Sequence, residues 1–139
     1  VPPVAPRGPN ADDLAAAQQM SPDERNDMIR TMVEGLEARL VETPDDIAGW
    51  RRLGQSWTVL GEPAKSSAAY GRALALEPGD PETLFRGAVA ALDAGDRAAA
   101  LDRFTRLRTL IPPDSDAFRA VERAIREIAQ NDAPAAPQK

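Results

Sequence analysis

The chain contains no cysteine and no histidine. The first absence excludes disulfides, thiolate nucleophiles and cysteine-held metals. The second removes the usual general base near neutral pH and the commonest transition-metal ligand. Aromatic residues make up only 4% of the 139 residues, and most of the apolar mass is alanine and leucine. Such a mixture favours helices and leaves little to build sheets. No apolar run approaches the ~18 residues of a membrane span, and no signal-peptide pattern opens the chain. A net charge of −5 argues against binding to a nucleic-acid backbone. The composition points away from most enzyme classes before any motif is considered.

Charge is unevenly spread. From Ala11 to Gly49 ten acids face three arginines, whereas from Arg97 to Arg126 seven arginines face four acids. This gives one acidic and one basic end, which bears on the choice of partner. The opening Val1-Pro2-Pro3-Val4-Ala5-Pro6-Arg7-Gly8-Pro9 reads as an extended linker over 1–10. Together with the missing initiator methionine, it leads to the expectation of an excised or processed domain with an upstream anchor.

Prolines punctuate the rest. Pro44, Pro78 and Pro112 stand 34 residues apart, the period of a tetratricopeptide (TPR) array. Trp50, Leu53, Gly54 and Trp57 fit the first-helix pattern W-x-x-L-G-x-x-Y, with tryptophan in the tyrosine place. Gly61 follows as a turn, then Ser66, Tyr70 and Ala73 at second-helix packing positions. One period on come Leu84, Gly87, Ala88, Ala91, the turn Gly95, and Ala100 with Phe104. Small residues at Gly54, Ala88 and Ala91 let crossing helices approach closely.

The predicted fold is all-α: a TPR-like solenoid of antiparallel helix pairs closed by a capping helix. The repeats are a degenerate one over 11–44 and full ones over 45–78 and 79–112. The degenerate repeat begins with a short helix over Ala11–Gln19, which Asn10 could cap. Its second helix opens with the capping box Ser21-Pro22-Asp23-Glu24 and carries Met28, Ile29, Met32, Val33, Leu36 and Leu40 as an apolar stripe. Ser115–Gln130 forms the cap helix, with Phe118, Val121, Ala124, Ile125 and Ile128 on its buried face. The tail 131–139 is expected to be disordered.

Candidate chemistry has bland explanations. Asp12-Asp13 and Asp45-Asp46 sit at helix starts, where acids cap amide groups and meet the positive end of the dipole. Asp93-Ala94-Gly95-Asp96 lacks the oxygen ligands of a calcium loop and reads as a turn. Lys65 and Ser66 point about 100° apart on a helix, so no Ser–Lys dyad forms. Met20, Met28 and Met32 suit either an adaptable recognition surface or, more simply, core. Trp50 and Trp57 read as framework. No cofactor or metal is expected.

Binding residues are expected where the first helix of each pair lines the concave groove. In the first full repeat these are Ala48, Arg51, Arg52, Gln55, Thr58 and Val59. In the second they are Glu82, Phe85, Arg86, Val89, Leu92 and Asp93. Arg119, Arg123 and Arg126 share one face of the cap helix, which reads equally as ordinary charged surface or as groove rim. Phe85, Val89 and Leu92 point more firmly to a binding patch, being apolar at helical spacing on a groove-facing helix.

Several runs carry a family resemblance. These are Met20-Ser21-Pro22 through Arg39-Leu40, Pro44-Asp45-Asp46, Gly49-Trp50 with Leu53-Gly54, Leu60-Gly61-Glu62, and Ala69-Tyr70 with Arg72-Ala73-Leu74. Over 11–130 the chain resembles the periplasmic TPR domain of the bacterial cytochrome c biogenesis family CcmI, also called CycH. The resemblance implies a chaperone and not an enzyme. It implies a periplasmic domain of an inner-membrane-anchored protein, with apocytochrome c as client through its C-terminal helix. The haem ligation proteins CcmF and CcmH are the implied recipients. It transfers no individual binding residue, and the second full repeat departs from the pattern at its tryptophan and tyrosine places. The competing reading is a scaffold that tethers folded partners in an envelope machine. A monomer is expected.

Overall fold

The computed structural model describes residues 11–132. The expected linker 1–10 and the tail from 133 onward lie outside the described residues. The described chain is helical throughout, in the order α1 Ala11–Gln18, α2 Pro22–Glu42, α3 Ile47–Val59, α4 Pro63–Leu76, α5 Pro81–Asp93, α6 Arg97–Arg108 and α7 Asp116–Asp132. Local sequence sets most of these ends. Ser21, Asp46, Asp80 and Asp96 are N-caps whose side chains accept from the amides of Glu24, Gly49, Thr83 and Ala99. Ser115 Oγ accepts from Phe118 N at 3.1 Å in the same way at the start of α7. Gly61 and Gly95, with φ of 74° and 80°, make the turns inside the two full repeats, where a side chain would be strained.

Helices α3 to α6 pack as successive antiparallel neighbours, α7 lies against α6, and α2 packs against α3. The core falls into two clusters that follow the repeats. Trp50, Leu53, Trp57, Ala69 and Ala73 form one with Val33 and Leu40 of α2. Leu84, Ala88, Ala91, Ala100, Phe104 and Leu107 form the other with Val121 and Ile128 of α7. The second repeat has no tryptophan, and α7 supplies much of the bulk instead. At the boundary between the repeats the Tyr70 ring fills the space left by Gly54. A Cβ on Gly54 would stand 2.8 Å from that ring.

Three sequence expectations need correction. The methionine stripe is only partly core: Val33 and Leu40 are buried, but Met32 is 55% exposed. Its side of α2 has no helix over it, because α1 shares no substantial interface with any other helix and Leu14 stays exposed. The short first helix ends at Gln18, one residue earlier than read. The tail does not begin at Asn131, since α7 continues to Asp132. Arg97 Nη1 donates to the Asn131 carbonyl at 3.0 Å and holds that last turn.

Arg103 is the polar centre of the packing. It occupies, one period on, the place of the buried Ala69. Its Nη1 donates to Ser67 Oγ and to the Gly87 carbonyl, both at 2.8 Å, and Nη2 donates to the Ser67 carbonyl at 3.3 Å. Burial pulls its pKa below the ordinary arginine value. The guanidinium thereby ties α6 to α4 and α5 across Gly71 and Gly87, whose missing side chains make room for it. Arg103→Met should keep the stem packing and lose these three bonds, lowering stability by about 1–2 kcal/mol. A denaturant midpoint equal to the parent's would contradict that role.

Candidate functional site

The 34-residue period puts equivalent positions of α3, α5 and α7 into common rows. Arg51, Phe85 and Arg119 form one row, and Gln55, Val89 and Arg123 form the next. A cleft of about 600 Å³ opens between α3 and α5. Gln55, Thr58 and Val59 wall it on one side, and Glu82, Phe85, Arg86, Val89 and Asp93 on the other. Tyr70 of α4 also lines it. Phe85 is half exposed and Val59 75% exposed, which is unusual for apolar side chains facing each other across a groove. A second cleft of about 410 Å³ lies between α5 and α7, lined almost wholly by apolar side chains. Phe85 walls both, and its ring meets Phe104 edge-on at 6.4 Å between centroids.

Charge around the first cleft is largely engaged. Arg51 Nη1 lies 3.0 Å from Asp80 Oδ2 and so links α3 to the cap of α5. Asp80 also accepts from the hydroxyl and amide of Thr83. The Thr83 hydroxyl, followed by its amide and Arg51, holds the Asp80 carboxyl below the usual carboxylate range. Arg86 pairs with Glu82 one turn earlier at 3.0 Å. Burial raises the Tyr70 phenol above its ordinary pKa, against the lowering effect of Arg86. The Thr58 hydroxyl is tied to Ser66 Oγ at 2.7 Å and to the Gly54 carbonyl. Arg119 pairs with Asp116 at 2.6 Å. Arg52, Arg123 and Arg126 are exposed and make no ion pair among the described residues.

The structure therefore brings together Gln55, Thr58, Val59, Phe85, Arg86 and Val89 in one cleft. Arg51 and Arg52 adjoin it beside Gln55 and Arg86. Leu92 lies one turn beyond Val89, exposed and outside both clefts. Arg119, Arg123 and Arg126 line neither cleft; from α7 it is Ala117, Ala120, Val121 and Ala124 that do. Sequence reading missed these alanines because they resemble ordinary helix filler. The 34-residue alignment held the signal: Ala120 falls where α3 and α5 carry Arg52 and Arg86. Among the described residues no cluster of three or more acidic side chains could hold a metal. None of their helices is long and apolar enough to cross a membrane.

Comparison with known proteins places these features. No family model matches the chain. The chain is 38% identical over 71 residues to the cytochrome c-type biogenesis protein CycH of Bradyrhizobium diazoefficiens, covering 51% of this chain and 19% of that protein. It is 47% identical over 47 residues to CycH of Rhizobium meliloti, covering 34% and 12%. The chain thus spans a fifth or less of the curated relatives it matches, and the likeness to CycH read from its residues is present in both. Among solved structures, PcrH in complex with the chaperone binding region of PopD matches with a TM-score of 0.59 at 17% identity. That match covers 91% of this chain and 98% of PcrH. The fold is TPR-like.

Proposed function

We propose that this chain is the client-binding domain of a cytochrome c maturation chaperone. It holds the C-terminal helix of an apocytochrome c across its concave face and passes it to the haem ligation proteins CcmF and CcmH. It works in the periplasm, tied to the inner membrane through an upstream anchor. One observation carries the reading: Phe85, Val89 and Val59 stay exposed and face one another in a groove. Isolated exposed apolar residues are ordinary, but a contiguous row in a concavity signals a protein-binding surface. The similarity to CycH supplies the pathway, and the solved relative with a bound segment supports the use of this fold to hold a peptide.

Dimensions suit a helix. α3 and α5 have 13 residues each, so they are about 20 Å long, and a helix with its side chains is about 10–12 Å across. Apolar burial then dominates affinity while the exposed Arg52, Arg123 and Arg126 steer approach. Titration calorimetry with a peptide of the apocytochrome C-terminal helix tests the reading. Binding is expected, with a scrambled peptide of the same composition failing and added salt weakening it only modestly. Preference for folded cytochrome over the peptide would overturn it and favour a scaffold.

A further inference from the structure

We infer that the cleft between α5 and α7 is a specificity pocket for one large apolar side chain of the bound segment, set across Phe85 from a first anchor in the α3–α5 cleft and followed within a turn by a carboxylate that meets Arg123. The inference rests on the peptide-binding reading above and adds the placement and chemistry of the ligand's anchors.

Three observations lead to it. The first is what fills each cleft. On α5, Arg86 lines the space toward α3, pairs with Glu82 and lowers the pKa of the Tyr70 phenol against its burial. One period on, Ala120 removes that arm, and Ala117 and Ala124 beside it are equally short. The space opens onto Phe104, which stands where Tyr70 stands one repeat earlier, and onto Leu107 and Ile111. Nothing polar apart from Glu82 lines it. Water gains little there, whereas a leucine- or phenylalanine-sized side chain buries its full apolar surface.

The second observation is position. Phe85 lines both clefts, as Glu82 does, so a segment that crosses its ring reaches into both. A helix lying across that ring can place one apolar side chain in each cleft. The third is charge. Arg123 is one turn from Ala120 on α7 and has no carboxylate partner among the described residues, unlike Arg51, Arg86 and Arg119. An acidic amphipathic helix is the occupant that satisfies all three.

The test is a set of double-mutant cycles on the whole chain. Its probes are an apocytochrome C-terminal helix peptide and variants of it with each large apolar residue changed in turn to alanine. Ala120→Gln is exposed and helix-compatible, fills the α5–α7 cleft without adding charge, and should weaken the parent peptide about tenfold. It should cause no further loss with one particular truncated peptide. Val59→Gln, on the other cleft, should couple in the same way to a different apolar residue of the peptide. Arg123→Gln should weaken binding a few-fold, an effect that disappears when the neighbouring acid of the peptide is neutralised. Losses that simply add, or an Ala120→Gln chain that binds like the parent, would overturn this pocket while leaving peptide binding intact. A folded parent chain that ignores every peptide would overturn the peptide-binding reading itself, and this inference with it.

Discussion

Trp57→Ala is expected to destabilise the fold by about 3–5 kcal/mol, the range for emptying a large aromatic site in a packed core. Trp57 is 1% exposed and sits among Leu40, Leu53, Ala69 and Ala73. Its indole Nε1 donates to Glu37 Oε2 of α2 at 3.3 Å. Lys65 Nζ stands 4.5 Å from its ring centroid and the Arg30 guanidinium carbon 5.9 Å, one from α4 and one from α2. The single side chain thus joins three helices, and α2 has no other broad interface besides α3. Alanine would leave a cavity and release α2 together. A thermal melt should fall by about 10 °C or more. A melting temperature close to the parent's would show that α2 and α3 are held by something else.

Phe85→Ala should behave in the opposite way, leaving the fold and removing the proposed peptide binding. Phe85 is half exposed and its main framework contact is the edge-on ring of Phe104. Its loss costs stability only a fraction of what Trp57 does. As the wall common to both clefts it is the natural anchor platform. Truncation should weaken a bound apocytochrome helix by about 2 kcal/mol or more, roughly thirtyfold. Calorimetry beside circular dichroism separates the two effects. Unchanged peptide affinity in a folded Phe85→Ala chain would remove this residue from the binding surface and sink the groove assignment.

The contrast between these two aromatics measures how far the sequence can be read. Trp57 could be assigned to the framework from its place in a repeat pattern, and Phe85 to the groove from its place between framework positions. Both assignments use only the 34-residue period and the 3.6-residue turn, which are local properties of the chain. Caps are local too. Ser21, Asp46, Asp80 and Asp96 each bond an amide three residues on, so the starts of α2, α3, α5 and α6 were legible without knowing any partner helix.

Other features depend on which helix lies next to which, and no period announces them. Arg103 belongs to a stretch that reads as basic surface, yet it is buried against Ser67 and Gly87, 36 and 16 residues away. Only the stacking of α6 on α4 and α5 makes a place for it. Arg51 reads as a groove cation, and the structure engages it with Asp80 on the following helix. Met32 reads as core, and it faces solvent because α1 does not cover it. The sequence by itself determined the helices, their order and the caps at Ser21 and Asp46, because these follow from local spacing and hydrogen bonding. The tertiary structure alone decided which arginines are held in ion pairs or packing, and that the alanines of α7 leave a pocket beside Phe85. Those outcomes depend on the space between helices that meet only after folding.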